Sequence, residues 1–176
     1  MDFHKRYNEE SHLFDVINPR FHAQGWLDAY DLFFIVRWKS NRAISKVANR
    51  LRSIGGTDLQ QVARKLTGDV HAAKTPEERF NIVGGHWKLR LPMASAILTV
   101  LYPDDFTVYD VRVCDMISAF HTLGNRTNVG ARWQGYREFC DAVTTAAPAH
   151  LSLREKDRWL WAKSRHQDLM HFLVHT

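Results

Sequence analysis

The sequence predicts an all-α protein. Three observations carry this reading. Apolar residues recur at the spacing of a helix face along most of the chain. Capping and stop signals fall between those runs. No stretch alternates apolar and polar residues as a half-buried strand does, and there is neither an internal repeat nor a low-complexity linker.

The elements follow in order. Trp26 to Trp38 reads as an apolar helix, with Leu27, Tyr30, Phe34 and Val36 to Trp38 on its core side. Ile44, Val47, Ala48 and Leu51 form the next apolar stripe, and Gly55-Gly56 stops it. Leu59, Val62, Ala63 and Leu66 repeat the pattern up to Gly68. Thr75-Pro76-Glu77-Glu78 is a helix start: Thr75 caps, Pro76 fits the first turn, and Glu78 completes a capping box. That helix is expected to end at Gly84-Gly85. Met93 to Leu101 is a compact apolar helix stopped by Tyr102-Pro103-Asp104-Asp105. Phe106 to Tyr109 reads as extended. Asp110 then opens a helix expected to run through Met116, Ile117 and Phe120 to Leu123-Gly124. After the polar loop Asn125 to Gly130, a helix spans Arg132 to Val143 and breaks at Ala146-Ala147-Pro148. Ser152 and Glu155 start a last helix that runs toward His171, with Asp157 to Trp161 packing against the rest of the chain.

Composition narrows the class. The chain has 176 residues, 45% hydrophobic and 24% charged, which is enough apolar material for a real core. No apolar run, Leu32–Val36 included, approaches the ~18 residues of a membrane span, so no membrane partner is expected. Met1 to Arg6 lacks the apolar stretch of a signal peptide, which points to a cytoplasmic monomer. Cys114 and Cys140 are too few for an iron–sulfur cluster and lack metal spacing. His171 and His175 share a helix face without a completing carboxylate, and His166 stands apart from them. No cofactor or metal is therefore expected. The formal net charge of +5 favours a polyanionic partner, and its distribution says more. Arg37, Lys39, Arg42, Lys46, Arg50 and Arg52 crowd one segment, and Lys88 and Arg90 precede a helix.

The segment from Gly84 to Met116 is the most informative. Two glycines end a helix, a short turn carries Trp87, Lys88 and Arg90, and the small-residue helix Met93-Ala94-Ser95-Ala96-Ile97-Leu98 follows. Then come a loop and Val108-Tyr109-Asp110 at the start of another helix. This arrangement resembles the helix-hairpin-helix DNA glycosylase superfamily, which includes endonuclease III and adenine glycosylase. Aligned without a gap, Met93 to Leu98 falls on the family's T-A-x-x-x-L helix, and Tyr109 to Val113 on its catalytic-aspartate motif.

The resemblance implies a two-lobed helical bundle of the glycosylase type. It would be one compact domain over residues 1–176, with hairpin and catalytic segment at 84–123. It implies a duplex DNA partner and a base extruded from the stack. Asp110 would be the catalytic carboxylate: as the base departs, positive charge builds on the sugar, and a carboxylate at the anomeric carbon stabilises it and orients water. An aspartate before a helix also serves as a plain N-cap. Lys88 and Arg90 occupy the positions of the family hairpin's glycines and would contact phosphate by charge; alternatively, Gly84-Gly85 marks a shifted hairpin. Lys39 and Arg42 would line the groove opposite the hairpin or else form a solvated helix end, and Arg112 would reach a phosphate or sit in a surface ion pair. Trp87, Trp38 and Tyr30 lead the candidates for the base-pocket wall, ahead of Phe33 and Trp133, and Asp157 is the rival acid. Pro92 stands where strand-cleaving members carry lysine, so no Schiff base with the sugar forms and an abasic site is the expected product. A non-catalytic DNA-binding module and a helical protein–protein adaptor are the competing classes.

Overall fold

The computed structural model describes residues 8–175, and all regular structure among them is helical. The Met1 to Arg6 stretch and the side chain of His175 lie outside the described residues. The chain forms two compact units, residues 1–102 and 103–176.

The first unit opens with α1 (Glu9–His12), a π-helical turn (Leu13–Ile17) and α2 (Asn18–Gln24). Leu13, Ile17 and Phe21 recur every four residues and are fully buried. Then come α3 (Ala29–Lys39), capped by Asp28, α4 (Ile44–Gly55), α5 (Leu59–Ala72), capped by Asp58, and α6 (Pro76–Phe80). The expected capping box at α6 is present: Glu78 N–H donates to Thr75 Oγ1 at 3.2 Å, and Thr75 N–H donates to Glu78 Oε2 at 3.1 Å.

The last helix of the unit, α7 (Leu91–Leu101), is its hub and packs against α2, α3 and α6. Every residue from Met93 to Leu101 is buried. Ala94, Ser95 and Ala96 let neighbouring helices approach closely. The two hydroxyls are satisfied on the helix itself: Ser95 Oγ donates to the Pro92 carbonyl (3.2 Å) and Thr99 Oγ1 to the Ser95 carbonyl (2.7 Å).

In the second unit, residues 106–109 are buried and irregular, and α8 (Val111–Ile117) follows. α8 and α9 (Val129–Ala146) both pack on the long α10 (Leu153–His175). Rings of Phe106, Tyr136 and Phe139 form a stacked column, with centroids 6.1 Å apart at each step.

Several boundaries differ from the sequence reading. Gly68 lies inside α5, and its missing side chain would meet only open space, so the helix passes through it. The helix at Gly84-Gly85 continues as a π-helical turn (Asn81–His86). α8 stops at Ile117, because Ser118 and Phe120 adopt left-handed backbone angles (φ 53° and 69°).

Candidate functional site

The turn before α7 is the candidate region of the first unit. The π-helical turn closes through Trp87 N–H to the Ile82 carbonyl (2.9 Å) and Leu89 N–H to the Val83 carbonyl (3.1 Å). Lys88 then takes a left-handed conformation (φ 51°), the geometry that glycine adopts without steric cost. Arg90 is extended and its carbonyl accepts from both Met93 N–H and Ala94 N–H at 2.9 Å. Lysine therefore stands at the left-handed position of the turn that leads into α7.

Trp87 itself is sealed in the core of the first unit. A Cβ on Gly55 would sit 2.7 Å from its ring, so the end of α4 approaches the indole only because residue 55 is glycine. The Trp87 ring thus presents no face to a ligand. Of the other two candidate pocket aromatics, Trp38 is half-buried on α3 and Tyr30 is 51% exposed, its ring 6.2 Å from that of Phe34.

Beside the turn lies a groove of about 640 Å³ between α4 and residues 88–93. Val47, Leu89 and Met93 are buried at its floor, and Lys46, Arg50, Lys88 and Arg90 are exposed around it. Among the described residues none of these four cations is ion-paired with a carboxylate, and no acidic side chain lines the groove. Four unpaired positive charges converging from two distant segments give a local potential that attracts a polyanion. Lys39 ends α3 and Arg42 sits in a short 3-10 turn (Asn41–Ala43); neither lines the groove. Arg37 is paired with Glu9 at 2.5 Å. The sequence had flagged Lys46 and Arg50 only as part of a basic run. The available signal was their one-turn spacing next to the buried Val47 stripe, but the segment they meet lies far along the chain.

A separate candidate, Asp110, lies in the second unit. Asp110 is half-buried and is the N-cap of α8, its Oδ1 accepting from Arg112 N–H at 3.1 Å. The irregular segment before it is clamped by hydrogen bonds. Thr107 N–H donates to Tyr136 OH (3.0 Å), and that hydroxyl donates back to the Thr107 carbonyl (2.6 Å). Asp157 Oδ2 accepts from Thr107 Oγ1 (2.7 Å) and Val108 N–H (3.1 Å). Tyr109 OH donates to the Phe120 carbonyl (2.7 Å), and burial pushes its pKa up to about 12. The acid that rivals Asp110 is thus structural: Asp157 is buried, holds the Thr107–Val108 segment and pairs with Arg154. Arg112 pairs with Asp168 and donates to Ser164 Oγ at 3.4 Å, so a phosphate would have to compete with that carboxylate. Burial also raises the Cys114 and Cys140 thiols, to about 11 and about 12, which makes both poor nucleophiles and poor metal ligands at neutral pH. Among the described residues no cluster of histidine, cysteine or carboxylate is positioned to hold a metal ion.

Comparison with protein-family models, with curated proteins and with solved structures gives no match for this chain. No helix among the described residues is long and apolar enough to cross a membrane.

Proposed function

We propose that this chain is a monofunctional DNA glycosylase of the helix-hairpin-helix kind, with Asp110 as its catalytic carboxylate. One observation supports the reading. A left-handed turn at Lys88, a buried small-residue helix, a buried irregular segment and a half-buried aspartate at a helix start follow one another along the chain, in keeping with the order of the family motif. The unpaired cations of the groove support a phosphate-bearing partner. In this reading the groove holds backbone phosphates of duplex DNA, and a damaged or modified base leaves the stack. Asp110 stabilises the sugar cation as the N-glycosidic bond breaks and orients the water that adds to the anomeric carbon. Pro92 supplies no amine, so the reaction stops at an abasic site. Base-excision repair and attack on modified phage DNA, both in the cytoplasm, are the two settings that chemistry serves.

One observation favours a second reading, a DNA-binding module without chemistry. Asp110 already has a structural duty as the α8 cap, and the family hairpin's glycines are replaced by Lys88 and Arg90. Alkali treatment of DNA incubated with the protein separates the two. The glycosylase leaves breaks that appear only after alkali and are absent with Asp110→Asn; the module binds DNA and leaves none.

A further inference from the structure

The outer face of α10 meets nothing among the described residues that would account for its sequence. Its inner face is used: Lys156, Asp157, Leu160 and Ser164 are buried, and Asp168 reaches Arg112. On the opposite side Trp159, Ala162, His166, Leu169 and Leu173 follow one another at alternating three- and four-residue steps, and all are exposed. This is the a/d spacing of a coiled-coil seam, which suits another helix better than a flat surface. Leu169 and Leu173 are 55% and 61% exposed, and every residue from Arg165 to Val174 is exposed. A helical stretch of that length is marginal by itself in water, so it needs a cover.

Charge defines the cover. Lys163 and Arg165 flank the seam, each lying over an exposed indole, at 5.0 Å from the Trp159 ring and 5.4 Å from the Trp161 ring. The acids of α10 point elsewhere: Asp157 and Asp168 face their own unit, and Glu155 is hydrogen-bonded to Ser152 at the helix start. A second copy of this chain would bring the same cations to the flanks with no carboxylate to meet them. We propose that this face docks an amphipathic helix of another protein, apolar along its seam and acidic on its flanks. The proposal is independent of the glycosylase reading.

The probe is a three-heptad synthetic peptide with leucine at a and d and glutamate at e and g, beside a counterpart with lysine at e and g. Calorimetry and indole fluorescence read binding to the whole protein. The glutamate peptide is expected to bind at least about tenfold more tightly than the lysine peptide. The double variant Leu169→Asp/Leu173→Asp should bind it at least about tenfold more weakly while keeping the far-UV dichroism of the parent, since both side chains are exposed. Equal binding of the two peptides, no binding of either, or undiminished binding by the double variant overturns the proposal. So does self-association in sedimentation that the double variant abolishes, or co-sedimentation with phosphatidylglycerol vesicles that it abolishes.

Discussion

Asp110 is the N-cap of α8 and, under the proposed reading, also the catalytic carboxylate, and a single substitution can pull the two apart. As N-cap it accepts a backbone hydrogen bond, and asparagine caps about as well as aspartate. Asp110→Asn should therefore unfold within about 0.5 kcal/mol of the parent in urea, whereas Asp110→Ala should lose about 1 kcal/mol. A loss well above that for asparagine would show that the carboxylate's charge is structural. Lys88 gives the complementary case. A non-glycine residue in the left-handed region carries a steric cost of roughly 1–2 kcal/mol, so Lys88→Gly should stabilise the fold by about 0.5–1 kcal/mol once glycine's extra chain entropy is counted. The same change removes one cation from the groove, so the slope of log affinity for duplex DNA against log salt should shrink by about 0.9. A variant more stable but unchanged in salt slope would place Lys88 off the phosphate path.

At the scale of elements, the groove depends on α4. Lys46→Glu/Arg50→Glu should weaken DNA binding at least about tenfold at moderate salt, similarly for unrelated sequences, because phosphate contacts carry no sequence information. The substitutions lie on the exposed side of α4, so the melting temperature should barely move. Affinity lost for one sequence only would argue against a backbone-binding groove. Helices with local signals were legible before the structure: the Thr75–Glu78 box and the α4 stripe both lie where periodicity placed them. What escaped was tertiary. The N-terminal helices are outside the sequence reading, because only three buried apolar residues, Leu13, Ile17 and Phe21, mark their core face. The stop of α8 depends on left-handed Ser118, a conformation that serine rarely announces. Trp87 reads as a ligand wall because it adjoins the turn before α7, but the approach of Gly55 that buries it joins residues far apart in sequence. Lys46 and Arg50 gained significance only when folding set them beside Lys88 and Arg90.

At the scale of the molecule, burial of the two thiols sets an alkaline limit. Cys114 and Cys140 are raised from an ordinary value of 9.0 to about 11 and about 12 when folded. Above pH 9 the unfolded chain loses thiol protons that the folded chain keeps, so fewer protons bind the unfolded state and stability falls as pH rises. Stability should be unaffected by these groups below that range and should decline from about pH 9 toward 11–12. Cys140→Ala should flatten the decline in urea titrations; an unchanged slope would assign it to other groups. The all-helical class was readable from periodicity alone, because it sums many local signals. The division at Tyr102–Pro103 was not, because the helix stop there looks like any other loop.

The central proposal is that the carboxylate at position 110 acts on a glycosidic bond. The direct measurement is single-turnover incubation of parent and Asp110→Asn with a panel of damaged oligonucleotides and phage genomic DNAs, with released free bases identified by mass spectrometry. The parent is predicted to release one class of base from intact strands, and Asp110→Asn to release it at least about a hundredfold more slowly while binding the same DNA equally well. Release at the parent's rate by Asp110→Asn, or DNA binding by the parent with no base released from any DNA in the panel, would contradict it.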